Sequence, residues 1–454
     1  MSEQGFVPAR DLGEWVGRVE ARSARVGIVG LGYVGLPLTL LLSEDGFAVT
    51  GFDIDEAKVR TLNAGGSYIH RIEPAHIAAA QAAGFRATSD FAEAGNLDAV
   101  LICVPTPLHK DHTPDMRAVV DTIEALAPHV RAGQLVVLES TTYPGTTDEI
   151  IAATIVRHGN KVHHSGTELD TRLDGVMVAF SPEREDPGNM TTPRRSIPKV
   201  VGGVDGCATA AACALYGAVF ARTVAMSTPA AAEMTKLLEN IYRSVNIALV
   251  NELKQLCLHM GIDIWEVIDA AATKPFGFQA FQPGPGVGGH CIPVDPFYLT
   301  WKARQFGFET KFIELAGAMN ESMPGYVVKT AERALEREGV TLRGAKVLVL
   351  GVAYKRDVDD MRESPALAVI DLLREAGAEV SYNDPFFARI GTLRKYDLQM
   401  ESVGLEELGG FDCVLIMTDH SMYDYGRIVR ESRLVIDSRN ATRSIGASAK
   451  IVRC

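Results

Sequence analysis

The chain has 454 residues, of which 47% are hydrophobic and 22% charged, and its 45 Lys and Arg against 57 Asp and Glu leave a net charge of −12. About three domains fit that length at roughly 150 residues each, and no basic run could track a phosphate backbone, which argues against a nucleic-acid partner. The longest apolar stretch, about residues 207–221, is rich in Ala and closes at Arg222, short of the roughly 20 strongly apolar residues of a membrane span; the N-terminus lacks the apolar core of a secretory signal, so a cytoplasmic protein with no membrane partner is expected.

An extension of residues 1–24 mixes charge with isolated apolar residues. Beyond it, short Val, Ile and Leu runs alternate with longer Ala- and Glu-rich stretches, the pattern of a parallel sheet covered by helices on both faces. Strands are expected at Val26 to Val29, Ala48 to Phe52, Ala99 to Val104, Leu135 to Glu139 and Val176 to Phe180. One long helix is expected to open at Thr228 and Pro229, with no further Gly or Pro until Gly261 ends it. The strand-helix rhythm restarts beyond Gly339, at 346–351, 379–385, 413–417 and 434–440. The fold class is therefore α/β, two Rossmann-like parallel-sheet domains joined by a helical central domain with one long helix.

The first strand runs into Gly30-Leu31-Gly32-Tyr33-Val34-Gly35 and then a helix-compatible segment. In that context Gly30 permits the tight turn, Gly32 lets a pyrophosphate approach the helix N-terminus, and Gly35 lets helix and strand pack closely. Asp53 ends the next strand, where a carboxylate accepts hydrogen bonds from a ribose diol and repels a 2′-phosphate, favouring NAD over NADP. Lys58 reads either as a contact to that ribose or as an exposed helix lysine. Pro105 and Thr106, then Ser140, Thr141 and Thr142, follow the next two strands; strand ends are where α/β sites form, and each of these either lines the cofactor crevice or caps a helix. Glu183 and Arg184 in the loop FSPEREDPGN carry the same two readings.

On the long helix Lys236 and Asn240 are four apart and share a face, a pattern that taken alone marks a solvated surface more often than a site. Gln282 to Pro296, QPGPGVGGHCIPVDP, is too rich in Pro and Gly for a regular helix or strand and is expected to be a shaped loop. The seven cysteines, at 103, 207, 213, 257, 291, 413 and 454, show no disulfide framework and no CxxC spacing, so reduced thiols and no metal are expected. Cys103, Cys257 and Cys413 lie in apolar runs and read as core residues. Cys291 stands beside His290 and four residues before Asp295, among glycines that let a ligand come close, and reads as a nucleophilic thiol. In the last domain GVAYKRDVDDMRESPA lacks GxGxxG, so a second dinucleotide in the same geometry is not expected. Lys355, Arg356, Arg362 and Arg439 lie at strand ends, where they suit a diphosphate or pair with the acids close by.

Together these segments resemble the nucleotide-sugar 6-dehydrogenases, the UDP-glucose and UDP-N-acetylhexosamine dehydrogenase superfamily, over essentially the whole chain from about Arg25. GLGYVGLP, VPTP, EST, SPER, ExxKLLENxYR, GGHCxPxDP, the YK and RESP segments and DxRN stand in the family's order and spacing. SPEREDPG and PGPGVGGHCIPVDPFYLTWKA look most like UDP-N-acetylglucosamine 6-dehydrogenases, whereas the UDP-glucose enzymes usually carry a second acid where this chain has Pro187. The resemblance implies an NAD-binding Rossmann domain at 25–226, a central helical and dimerisation domain with the Cys loop at 227–335, and a UDP-sugar-binding domain at 336–454.

The implied activity is oxidation of a C6 hydroxymethyl to the uronic acid with two NAD per UDP-sugar, in a homodimer or higher homo-oligomer built on the long helix. By resemblance Cys291 is the catalytic thiol, with Lys236, Asn240 and Asp295 around it, while Thr141 and Glu183 handle water and protons. Gly30, Gly32, Tyr33, Val34, Gly35, Asp53 and Lys58 match NAD contacts, joined by Pro105, Thr106, Ser140 and Arg362. Arg184, Arg243, Gly288, Lys355 and Arg439, with Lys236 and Asn240, match positions that hold the UDP-sugar. UDP-glucose or UDP-N-acetylmannosamine as substrate, and a non-catalytic NAD- or nucleotide-sugar-binding protein on the same fold, are the alternatives.

Overall fold

Short, largely buried strands build the first sheet. Its strands are β1 (Arg25–Val29), β2 (Ala48–Phe52), β3 (Arg86–Thr88), β4 (Ala99–Ile102), β5 (Leu135–Leu138), β6 (Met177–Phe180), β7 (Lys199–Gly203) and β8 (Thr223–Ala225). β4 to β7 are buried along their whole length. In the computed structural model, which describes residues 6–69, 71–109, 111–165, 171–185, 192–289, 292–446 and 448–454, two compact units are formed, 1–239 and 240–454, divided inside the helix Pro229–Met260.

In the first unit the strand order is β3-β2-β1-β4-β5-β6-β7-β8. One face packs Leu36, Leu41, Ala208 and Leu215 of the helices Gly35–Glu44 and Gly206–Gly217, and the other packs Val119, Ile123 and Leu126 of Arg117–Leu126. The order reverses between β1 and β4, and a ligand crevice forms at the carboxyl ends of strands at such a point. The N-terminal extension contributes the helix Leu12–Glu20, which buries Trp15 and Val19 in the first of these faces. β3, β7 and β8 were not expected, and β7 runs antiparallel to β6, so the sheet is not purely parallel. The physical reason is the connection: 181–198 has no crossover α-helix in its described residues, and a parallel return needs one. β4 stops at Ile102 rather than Val104, just ahead of Pro105, which has no N–H for a ladder.

The second unit holds β9 (Lys346–Leu350), β10 (Glu379–Asn383), β11 (Arg389–Thr392), β12 (Asp397–Glu401), β13 (Cys413–Ile416), β14 (Val435–Asp437) and β15 (Ile451–Arg453). Five strands form a parallel sheet in the order β10-β9-β13-β14-β15, and β11 and β12 form a separate antiparallel hairpin. Helices Lys311–Arg337 and Pro365–Glu375 cover one face, and Tyr425–Glu431 lies against the other. The long helix runs from Pro229 to Met260 and stops at Gly261, whose φ of +70° suits a glycine after a helix end. No helix among the described residues is long and apolar enough to cross a membrane.

Candidate active site

The turn after β1 is shaped by its glycines. Gly30 has φ +89°, and a Cβ there would lie 2.6 Å from the Cys103 carbonyl oxygen; a Cβ on Gly35 would collide with the Gly30 carbonyl. Around Gly32 the space is open, with no atom within 4 Å of a Cβ position. The helix Gly35–Glu44 that follows has no side-chain cap, because Val34 stands at its N-cap. Uncapped N–H groups facing open space at a helix N-terminus suit an anionic pyrophosphate. Leu31, inside the turn, is held at both backbone groups. Its N–H donates to Asp53 Oδ2 at 3.0 Å, and its carbonyl accepts the Tyr68 hydroxyl at 2.5 Å. Asp53 is buried, also accepts the Asp55 N–H at 3.0 Å, and has Lys58 Nζ at 3.5 Å. Tyr33 is 40% exposed beside the turn.

At the neighbouring strand ends, Pro105 is exposed and Thr106 buried. The Ser140 hydroxyl donates to the Val104 carbonyl at 2.7 Å, tying the end of β5 to the end of β4. Thr141 is half-buried, and the Thr142 hydroxyl is buried without a hydrogen-bond partner. After β6, Glu183 accepts the N–H groups of Arg184 and Glu185, both at 2.8 Å, and pairs with Arg194 at 2.8 Å and Lys199 at 3.7 Å. Burial raises its pKa, but the charges of Lys199 and Arg194 outweigh burial and hold the carboxyl well below the usual range. Beneath it the buried Lys199 bonds Glu139 at 2.6 Å, and the Tyr216 hydroxyl bonds the same carboxylate at 2.5 Å. Glu183 is thus held as its anion by Lys199 and Arg194. Arg184 pairs with Glu239 at 2.5 Å and donates to the Pro198 carbonyl at 2.8 Å.

In the second unit, Asn240 Nδ2 donates to Asp295 Oδ2 at 2.5 Å, and both side chains are buried. Lys236, near the end of the first unit, is also buried, so the spacing of these two residues does not mark a solvated surface. Asp295 is the first residue of the helix Asp295–Gln305, which corrects the expectation of an irregular segment through Pro296; a proline in the first turn costs no hydrogen bond. Cys291 and His290 lie outside the described residues. The described glycines before them explain the composition of the loop. The Gly284 N–H donates to Asn251 Oδ1 at 2.9 Å, its carbonyl accepts Lys254 Nζ at 3.0 Å, and a Cβ there would sit 2.7 Å from Arg439 Nη1. A Cβ on Gly288 would lie 2.7 Å from Tyr354 Cβ, next to Lys355, and the Gly289 N–H donates to the Arg362 carbonyl at 3.1 Å. Arg439 itself donates to the Met417 carbonyl at 3.0 Å. Arg362 grips Asp360, at 2.7 Å from Nη2, and Arg243 is exposed on the long helix.

Sequence comparison matches residues 24–220 to the NAD binding domain, 230–322 to the central domain and 348–444 to the UDP binding domain of one family. The chain belongs to the UDP-glucose/GDP-mannose dehydrogenase family. It is 33% identical to a UDP-N-acetyl-D-mannosamine dehydrogenase of Methanococcus maripaludis, over 88% of this chain and 87% of that one. It is 31% identical to a UDP-N-acetyl-D-glucosamine 6-dehydrogenase of Pseudomonas aeruginosa, over 88% and 92%. The solved structure of the UDP-D-ManNAc dehydrogenase of Pyrococcus horikoshii superposes with a TM-score of 0.83 at 30% identity, over 94% of this chain and 98% of that one.

As an NAD-dependent UDP-sugar dehydrogenase, the protein has a turn that fits its cofactor: the open space at Gly32 and the uncapped helix would take the pyrophosphate, and Asp53 the ribose. Three further side chains that the sequence does not single out hold backbone in place, Tyr68 at Leu31 in the first unit and Asn251 and Lys254 at Gly284 in the second. Tyr68 follows an unremarkable Gly-Gly-Ser, and Asn251 and Lys254 look like any polar pair on a helix. The burial of Asn251 and Lys254, and the Tyr68 bond to the Leu31 carbonyl, are visible only in three dimensions.

Proposed function

We infer that this dehydrogenase oxidises the C6 hydroxymethyl of a UDP-N-acetylhexosamine, UDP-N-acetyl-D-glucosamine foremost, to the uronic acid through a thioester on Cys291. The observation that carries the reading is the buried 2.5 Å bond between Asn240 and Asp295, which fixes two of the implied catalytic side chains against each other, one of them four residues beyond Cys291. NAD, when bound, supplies the hydride acceptor for both oxidations. In the first, a base takes the hydroxyl proton as the C6 hydrogen leaves as hydride, and Lys236 and Asn240 polarise the aldehyde oxygen. The Cys291 thiolate adds to that aldehyde, making a tetrahedral thiohemiacetal that again carries a hydrogen and an oxyanion. Loss of this second hydride leaves the thioester. Water oriented by Thr141 then releases the acid and the thiol, with Asp295 as the base, because Glu183 is held by Arg194 and Lys199.

The apolar side chains of Tyr242, Leu249, Leu253 and Leu256, 38–53% exposed along the long helix, support a homodimer built on that helix. The six described cysteines are unpaired, which supports a reducing, cytoplasmic setting. A second reading, UDP-N-acetyl-D-mannosamine at the same site, is favoured by the relatives that carry that name. An NADH-release assay over UDP-N-acetylglucosamine, UDP-N-acetylmannosamine, UDP-N-acetylgalactosamine and UDP-glucose decides. The expected result is the highest kcat/KM on the first, with two NADH per sugar; preference for the second selects the mannosamine reading, and preference for UDP-glucose overturns both. Cys291→Ser is expected to leave the second oxidation incomplete, and full acid production by that variant would end the thioester scheme.

A further inference from the structure

We propose that Glu233 is a positioning residue of the dehydrogenase, fastening the turn that follows Ser140 and Thr141 to the helix face that presents Lys236. The inference rests on the roles proposed above for Thr141 and Lys236. Glu233 is fully buried on the long helix, three residues before Lys236 and so on the same side. Its carboxylate accepts three hydrogen bonds from one short segment: the Gly145 N–H at 2.6 Å, the Thr147 N–H at 2.9 Å and the Thr147 hydroxyl at 2.7 Å. No ion pair of Glu233 accompanies them among the described residues, and burial pushes its pKa up to about 7.

That segment opens a π-helical turn, Thr147–Ala152, a rare geometry that recurs at functional sites. The turn has no cap of its own, because the Thr146 hydroxyl is turned back to the Tyr143 carbonyl. Glu233 supplies the cap from another element, satisfying N–H groups that would otherwise be orphaned. An apolar side chain would fill the same space without the cost of burying a carboxylate. What the carboxylate adds is direction: three donors at two oxygens fix the turn after Thr141 in register with the helix one turn from Lys236. In a reaction where a displacement of about 1 Å can cost roughly a hundredfold in rate, such a fixture bears on kcat.

The test uses the full chain and steady-state kinetics on the UDP-sugar that the wild type turns over. Glu233→Ala is expected to lower kcat about a hundredfold, and Glu233→Gln about tenfold, since its oxygen can keep Thr147 while its amide faces the Gly145 N–H. KM for NAD and for the UDP-sugar should stay within about threefold of wild type in both, as befits a group that acts on the transition state. Thr147→Val removes one donor without touching a charge and is expected to lower kcat about threefold with the melting temperature unchanged. Wild-type kcat in Glu233→Ala, or a loss explained wholly by less folded protein with normal activity per folded molecule, would overturn the proposal. A wild type inactive on every UDP-sugar would instead sink the dehydrogenase reading, and this inference with it.

Discussion

The two sheets carry the same turn in two versions. After β1 it reads GLGYVG, and after β9 it reads GVAYKR. Gly30 and Gly351 do one job: φ is +89° and +82°, and a Cβ would lie 2.6 Å from the carbonyl oxygen of Cys103 or of Thr418 on the adjoining strand end. The anchor is also shared. Asp53 at the end of β2 accepts the Leu31 N–H at 3.0 Å, and Asp384 at the end of β10 accepts the Val352 N–H at 2.7 Å. The versions part at the second and third glycines, where the second unit has Ala353 and Arg356. Without a glycine at the third place no helix packs directly onto the turn, and the next one starts only at Pro365. The first turn therefore leaves open space at Gly32 before an uncapped helix, where the second carries the side chains of Lys355 and Arg356. Two residues thus separate a turn that runs straight into a helix from one that does not.

A second contrast follows from what holds the loops. A buried acid, Glu233, fastens one in the first unit; a buried base, Lys254, fastens Gly284 in the second. Burial raises Glu233 to about 7 from 4.5, so the folded chain binds the extra proton between those values and stability falls as pH rises through them. Burial, with the nearby Arg439 adding to it, lowers Lys254 to about 8 from 10.5, so stability rises with pH through that higher window. Each slope is expected to amount to about 3 kcal/mol. Denaturant titrations across pH should show Glu233→Gln flattening only the acid window and Lys254→Met only the alkaline one. A change in the wrong window would break the contrast.

The glycine contrast is sharpened by Gly32→Ala. Since its Cβ meets no protein atom, the melting temperature should not move, while KM for NAD should rise about a hundredfold as the methyl enters the pyrophosphate's space. An unchanged KM would mean that the cofactor does not lie there. Lys355→Ala and Arg439→Ala should each raise KM for the UDP-sugar about tenfold and leave KM for NAD alone, the loss of one charged hydrogen bond; equal shifts in both constants would erase the division of labour between the units. The smallest change is expected from Asp53→Ala. It should narrow the preference for NAD over NADP several-fold, with some loss of both because Leu31 is released, and an unaltered ratio would place the ribose elsewhere.

Much of the molecule was legible where the signal is local. Gly30, Gly32 and Gly35 have a spacing that means one backbone shape; Asp53 sits at a strand end; Pro229 and Gly261 bound a helix. The fate of the charged residues was not legible. Glu183 and Arg184 look alike in the sequence, yet Arg194, Lys199 and Glu239, which complete their ion pairs, come from elsewhere in the chain. The same holds for the antiparallel β7 and for Lys236 and Asn240, which only packing shows to be buried.

The amino-acid sequence by itself determined the α/β class, the phosphate turn, the long helix and the family, because each depends on residues close together along the chain or on motifs kept in order. Tertiary structure alone decided which charges are spent on the protein: Glu183 on Arg194 and Lys199, Arg184 on Glu239, Glu233 on a turn and Lys254 on Gly284. The physical reason is that burial sets both the cost of a charge and the strength of its bonds, and burial is a property of the packed chain.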